Sequence, residues 1–326
     1  MLETGVMDIK VFAPEELPVA LGAVRAIDPY PTLDQDRFLR AIARLHGAAI
    51  DPQTLPVPTP DATARAIRDP RARQRILELA VVMALIDGQV FPVPTANVSV
   101  LARALDVGER ETRVLRELAA RHHLMTRIDF TRRIGGRLTG EAWREERWNG
   151  VRKMFAPVFN VGEDRETAAR YQALARLPAN SFGFALWEYY RSNDFAFPGE
   201  TGGIPERGVF HDLGHILSGY GTDPEGEIQQ AAFQAGFVRN DGFLSLYFGI
   251  VQFHLGVRLA PLSKAETGFL DIDKITAALA RGAACRVDLS DRWDFWPLLP
   301  KPLARVREEL GVPPAEPPHS RPHLAA

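Results

Sequence analysis

Apolar positions along this chain return every three or four residues far more often than every second one, and that spacing predicts helices rather than strands. The pattern is clearest over residues 71–88, where Ile76, Leu79, Ala80, Met83 and Ile86 share one helical face and Gly88 supplies a stop. Residues 95–105 and 109–123 continue in the same style, the second with Val114, Leu115 and Leu118 on one side. Between them and the N-terminus, Pro29, Pro31, Pro52, Pro56, Pro58, Pro60 and Pro70 hold helices to short pieces, residues 34–47 excepted. A Gly-Gly pair and dense charge mark 131–150 as a linker or solvent-bridging helix. Helical spacing then resumes over 164–177, 181–192, 205–218, 224–238, 242–257, 271–281 and 302–310. Strand candidates are almost absent. The expectation is an all-α fold in two parts: a helical bundle over 1–148 and a larger multi-helix domain over 149–313. The Pro-rich end, 314–326, reads as a disordered tail.

Composition narrows the function without naming it. A hydrophobic share of 46% and a charged share of 25% are those of an ordinary globular protein with material for a sizeable core. A net charge of −2 gives no field that would collect nucleic acid or an anionic membrane, so no nucleic-acid partner is expected. The lone Cys285 can form no internal disulfide and no cysteine-type zinc site, which fits a reducing, cytoplasmic setting. The first residues lack the basic, apolar, small order of a signal peptide. The longest apolar run, residues 243–257, is shorter than the roughly 20 residues a bilayer span needs and carries Gln252 and His254. The expectation is a soluble chain, at most peripheral at the inner face of a membrane. Whether it forms a homo-oligomer is left open by the sequence.

The candidate chemistry sits in residues 205–233. Pro205 suits a helix start and Gly219 with Gly221 a stop, which puts His211 and His215 on one helix. At about 3.6 residues per turn, a four-residue separation stacks the two imidazoles on one face, with Asp212 about 100° away at its border. Thr222 and Glu225 read as a capping box that starts a second helix at once, with Glu227 near its beginning. Two helices joined so tightly are neighbours, so the Glu227 carboxylate comes within reach of the imidazoles. His211, Asp212, His215 and Glu227 are therefore the expected ligands of a divalent metal. Zinc comes first, with iron, manganese or magnesium as alternatives. The competing reading is a hydrogen-bonded core pair of histidines, against which stands the cost of burying four polar groups without a cation.

The same spacing admits two further chemistries. In a zinc-peptidase variant, HDLGH would stand for H-E-x-x-H, with Asp212 a carboxylate one methylene shorter than the usual base. In an HD-type metal-dependent phosphohydrolase, a further upstream histidine is required, and His46, His122 and His123 all fall in the other predicted domain.

HDLGH followed by eleven residues and Glu227 resembles the HDxxH-x11-E signature of the Coq-four family of ubiquinone (coenzyme Q) biosynthesis proteins. The surroundings are similar too: LPANSFGFALWEYYRSND upstream, LSGYGTDPEGEIQQAAF around the turn and DRWDFWPLLPKPLARVREELGV near the end, so the likeness runs from about residue 160 to 313. The resemblance implies an all-helical fold and a divalent metal on His211, Asp212, His215 and Glu227. It also implies a prenylated aromatic or isoprenoid ligand, and a part in oxidative decarboxylation at the ring carboxyl position or in organising other quinone-biosynthesis enzymes. Asp212 is then the candidate acid/base. Tyr190, Phe243, Leu246, Tyr247, Ile250, Val251 and His254 are the candidate residues for the ligand and its apolar tail. The alternative within the same resemblance is a non-catalytic lipid-binding scaffold with a structural metal. In the front half, LELAVVMALIDGQVFP and LARALDVGERETRVLREL resemble the TerB-like helical domains linked to tellurite resistance, although Asp87-Gly88 lacks the acid that follows in the metal-binding version.

Overall fold

A computed structural model describes residues 10–108, 112–113, 115–116, 164–204, 206–238, 242–259, 265–290 and 293–314. Among them stand twelve α-helices and no β-strand, so the all-α expectation holds. Among the described residues, β-type pairing is limited to two isolated antiparallel bridges, Ser181 with Pro302 and Leu255 with Thr267. The helix expected over 109–123, the linker over 131–150, the boundary near 148 and the tail after 314 lie essentially outside the described residues.

The front half contributes α1 (Leu17–Arg25), α2 (Leu33–Leu45), α3 (Pro60–Ala66), α4 (Pro70–Met83) and α5 (Pro92–Leu105). Helix α2 starts on a complete capping box, in which the Thr32 hydroxyl accepts from the Gln35 N–H and the Gln35 side chain accepts from the Thr32 N–H. Asp69 and Thr59 cap α4 and α3 ahead of the prolines at their first positions. The apolar stripe of α4 is buried, and so are Leu77, Val81 and Val82 on its other sides, which makes it the central helix of this half. It ends at Met83 instead of reaching Ile86, and a turn carries the chain through Gly88 at φ +71°.

The second half runs α6 (Arg165–Gln172), α7 (Phe182–Ser192), α8 (Val209–Ser218), α9 (Pro224–Phe237), α10 (Phe243–Phe253), α11 (Ile272–Ala283) and α12 (Leu303–Leu310). Helix α9 is its axis: from Ile228 on, nearly every side chain is buried, and α8, α10 and α11 pack around it. The closest approach is to α11, where Gly236 and Gly282 face the opposite helix with no side chain between the backbones.

Helix α10 stops four residues before the expected end because His254 is turned to other work. One ring nitrogen lies 2.7 Å from the Ile86 carbonyl and the other accepts from the Leu270 N–H at 3.3 Å. The two halves also meet where α2 packs on α11, where Arg44 pairs with Asp273 at 3.2 Å, and where the Arg75 guanidinium lies 5.5 Å from the centre of the Phe243 ring. Buried residues from both halves belong to one continuous apolar cluster. None of the helices among the described residues is long and apolar enough to cross a membrane.

Candidate metal centre

Helix α8 is short and held at both ends. Gly208 precedes it, Gly219 ends it in the left-handed region at φ +79°, and its last carbonyls are capped from outside. Arg307 donates to the Ile216 and Leu217 carbonyls at 2.8 and 2.9 Å, and Arg281 donates to that of Ser218 at 3.0 Å. Positive charge at this end complements the partial negative charge of a helix C-terminus. The chain then crosses five residues and re-enters helix at Pro224. Asp223 is the cap here, accepting from the Gly226 N–H at 3.0 Å. The expected Thr222–Glu225 box does not form: Thr222 donates to Asn193 at 3.0 Å, and Glu225 pairs with Lys274. Proline at the first helical position fixes the start one residue later than that box would.

This geometry aims three side chains at one point. The Nε2 atoms of His211 and His215 are 3.3 Å apart, and Glu227 brings its two carboxylate oxygens to 3.5 Å from the first and 3.6 Å from the second. One donor atom from each of the three lies within 4.8 Å of the others. Behind the rings, His215 Nδ1 faces the Tyr220 carbonyl at 3.1 Å and His211 Nδ1 faces Gln234 Oε1 at 3.4 Å. Both partners are acceptors, so each ring carries a proton on Nδ1, and in their neutral forms both rings turn the Nε2 lone pair inward. The His215 side chain is 1% exposed, that of Glu227 20% and that of His211 39%, so the centre opens beside His211. Tyr189 closes the opposite side, its ring stacked on that of His215 at 5.8 Å, and Phe195 leans on Tyr189 and stays exposed.

Of the four expected ligands, the structure brings together His211, His215 and Glu227. Asp212 is buried and takes a 2.5 Å hydrogen bond from the Tyr190 hydroxyl, and its carboxylate is not part of the convergent set. The offset of about 100° between neighbouring helical positions is enough to face it towards α7 instead.

The charges are coupled. Burial works against protonation of His211, but the adjoining Glu227 carboxylate, with Asp212 behind it, outweighs that and raises the imidazole to about 9. Burial and the His211 charge lower His215 to about 4. Burial raises the Asp212 carboxyl to about 6 against the opposing pull of His211 and Tyr190. The Tyr190 phenol is pushed far above its ordinary range by burial and by Asp212. Two imidazole lone pairs and a carboxylate facing one point suit zinc, iron or manganese, and three protein ligands leave a position free for water or substrate.

The residues expected to hold an apolar ligand occupy core positions. Tyr190 is buried and stacked on Phe197 at 5.3 Å, and Phe243, Leu246, Tyr247, Ile250 and Val251 are buried in α10. His254 is likewise spent on main-chain groups, and it also forms part of the wall of a cavity of about 780 Å³ that no metal-centre residue lines. The sequence reading passed over Gln230 and Gln234. With Glu227 they repeat at three- and seven-residue spacing on an otherwise apolar helix, and that polar stripe was the available signal. No protein family, curated protein or solved structure matches the chain.

Proposed function

We propose that this chain is a divalent-metal-dependent enzyme whose centre is His211, His215 and Glu227. The observation that carries the reading is the convergence of two inward Nε2 atoms and one carboxylate, each imidazole backed on Nδ1 by an acceptor, with one side open beside His211. When bound, the metal supplies a Lewis acid and a coordination position for a carboxylate or phenolate oxygen.

The chain's own residues do the rest. Glu227 neutralises part of the cation's charge, Tyr189 shields His215 from solvent, and Asp212, held by Tyr190, adds negative charge behind His211. The aromatic pair of Phe195 and Tyr189 forms an apolar wall on the side of the centre away from its opening. Together with the Coq-four resemblance, this supports a prenylated aromatic acid as the ligand and the ring carboxyl as the reacting group: it would leave as CO2, a hydroxyl from water would take its place, and the two electrons released would reduce dioxygen to hydrogen peroxide.

The test is elemental analysis of the purified full-length protein beside the His211→Ala, His215→Ala double variant, with mass spectrometry of the organic extract. One metal per chain, absent from the variant, and a prenylated compound in the extract are expected. Metal without any such compound removes the ligand half of the proposal. Wild-type protein that neither carries metal nor takes up added Zn²⁺ overturns it altogether.

A further inference from the structure

We propose that Gln234 is the positioning residue of this centre: its carboxamide fixes the tautomer and ring angle of His211 and thereby sets the affinity for the metal. The inference rests on the reading of His211, His215 and Glu227 as a metal site and adds to it a residue that touches no metal.

The two imidazoles are supported in different ways. His215 faces a main-chain carbonyl, that of Tyr220, which can only accept, and its ring is enclosed and stacked on Tyr189. Its orientation is thus fixed by backbone and packing. His211 has neither device. Its side chain is the most exposed of the three, and its Nδ1 has a side-chain oxygen for a partner, Gln234 Oε1 at 3.4 Å. Without that acceptor the ring would be free to turn towards water or to carry its neutral-state proton on Nε2, the nitrogen that must be bare to bind a cation.

The placement of Gln234 makes the support firm. It lies seven residues, about two turns, beyond Glu227, so one face of α9 presents both a ligand and the support of another ligand. Midway between them Gln230, fully buried, accepts from the Ser218 hydroxyl at 2.9 Å and seats that face on α8. Gly214 opens the space for it: a methyl group there would stand 2.0 Å from the Gln230 amide nitrogen. Gln234 itself is nearly buried and so cannot wander into solvent. Acceptors behind metal-bound histidines change metal affinity by about 10–100-fold when removed.

The experiment is Zn²⁺ titration of the full chain against a chromophoric chelator, for wild type, Gln234→Leu and Gln234→Glu, with thermal melting of each metal-free protein. Leucine keeps the bulk and removes the acceptor, and is expected to weaken Zn²⁺ binding about 10–100-fold. Glutamate keeps the length and can only accept, and is expected to bind at least as tightly as wild type whatever it does to metal-free stability. Gln234→Leu binding as tightly as wild type overturns the inference while leaving the metal centre standing. So does Gln234→Glu binding as weakly as Gln234→Leu, because packing rather than hydrogen bonding would then be at stake. If wild type and His211→Ala alike fail to bind Zn²⁺, the metal reading falls and this inference with it.

Discussion

Replacing Gly282 with alanine tests how closely α9 and α11 are pressed together. A Cβ at 282 would stand 1.9 Å from the Phe233 carbonyl oxygen, 2.8 Å from its carbon and 3.1 Å from Gly236 Cα. Ordinary contact begins at 3.4 Å, so the main chains must part by about 1.5 Å at this point. The obstacle is backbone in the middle of a buried helix, so no rotamer change relieves it. Alanine's helix advantage over glycine, about 1 kcal/mol in an interior, is smaller at the next-to-last residue of α11. Overpacking of a tight core costs about 1–3 kcal/mol, and a rigid obstacle argues for the upper part of that range. A net loss of about 1–2 kcal/mol corresponds to a melting temperature lower by about 1.5–3 °C in a chain of 326 residues. The assay is thermal unfolding of metal-free protein followed by circular dichroism, since bound metal would add its own stabilisation. Phe233 adjoins Gln234, so Zn²⁺ affinity is expected to fall as well. A variant that melts at or above the wild-type temperature would refute the argument, because the two helices would then have slack that the backbone distances deny.

Two further outcomes follow from the site and from the junction of the halves. His211 is protonated up to about pH 9 in the metal-free protein and His215 is already neutral above about 4, so Zn²⁺ binding near neutrality should release one proton. The sign is that of a raised histidine: the charged form stabilises the metal-free fold fully below the ordinary imidazole value of 6.5, that gain is lost as pH rises from there to about 9, and Zn²⁺ affinity climbs about tenfold per pH unit until the same point. Calorimetry in buffers of different ionisation enthalpy counts the protons, and a count of two or none would contradict the assignment. His254→Leu leaves the Ile86 carbonyl and the Leu270 N–H without their partner, at a cost of about 2–4 kcal/mol read by urea unfolding; a loss below about 0.5 kcal/mol would mean that water replaces the ring without penalty.

Helical periodicity carried most of the architecture, because α2, α4, α8 and α11 each pair an apolar stripe with polar residues elsewhere. It failed at α1, whose LPVALGAVR has no polar face from which to read a period. It ran past the end of α10, because the signal that ends that helix is a hydrogen bond from His254 to a residue 168 positions away. Within the site, His211, His215 and Glu227 were legible because spacing alone brings them together across one tight turn. Asp212 was misplaced by the same reasoning, since adjacency in sequence says nothing about which neighbouring helix holds a carboxylate; here that is α7, through Tyr190. The cap of α9 was misread by one residue because Thr222 and Asp223 both suit the role and only the fold decides that Thr222 is wanted by Asn193.

The connection between α8 and α9 has a consequence for how this gene could change. Surface turns usually tolerate added or deleted residues. Here Gly219 needs a positive φ, the Tyr220 carbonyl holds His215, Gly221 abuts Gly226, and Asp223 starts the next helix. One extra residue would shift Asp223 and Pro224 out of step with this scaffold and swing Glu227 away from the histidines by up to a third of a helical turn. The segment is exposed in part yet intolerant of any change in length, so descendants of this chain that retain the chemistry should differ here in side chains only.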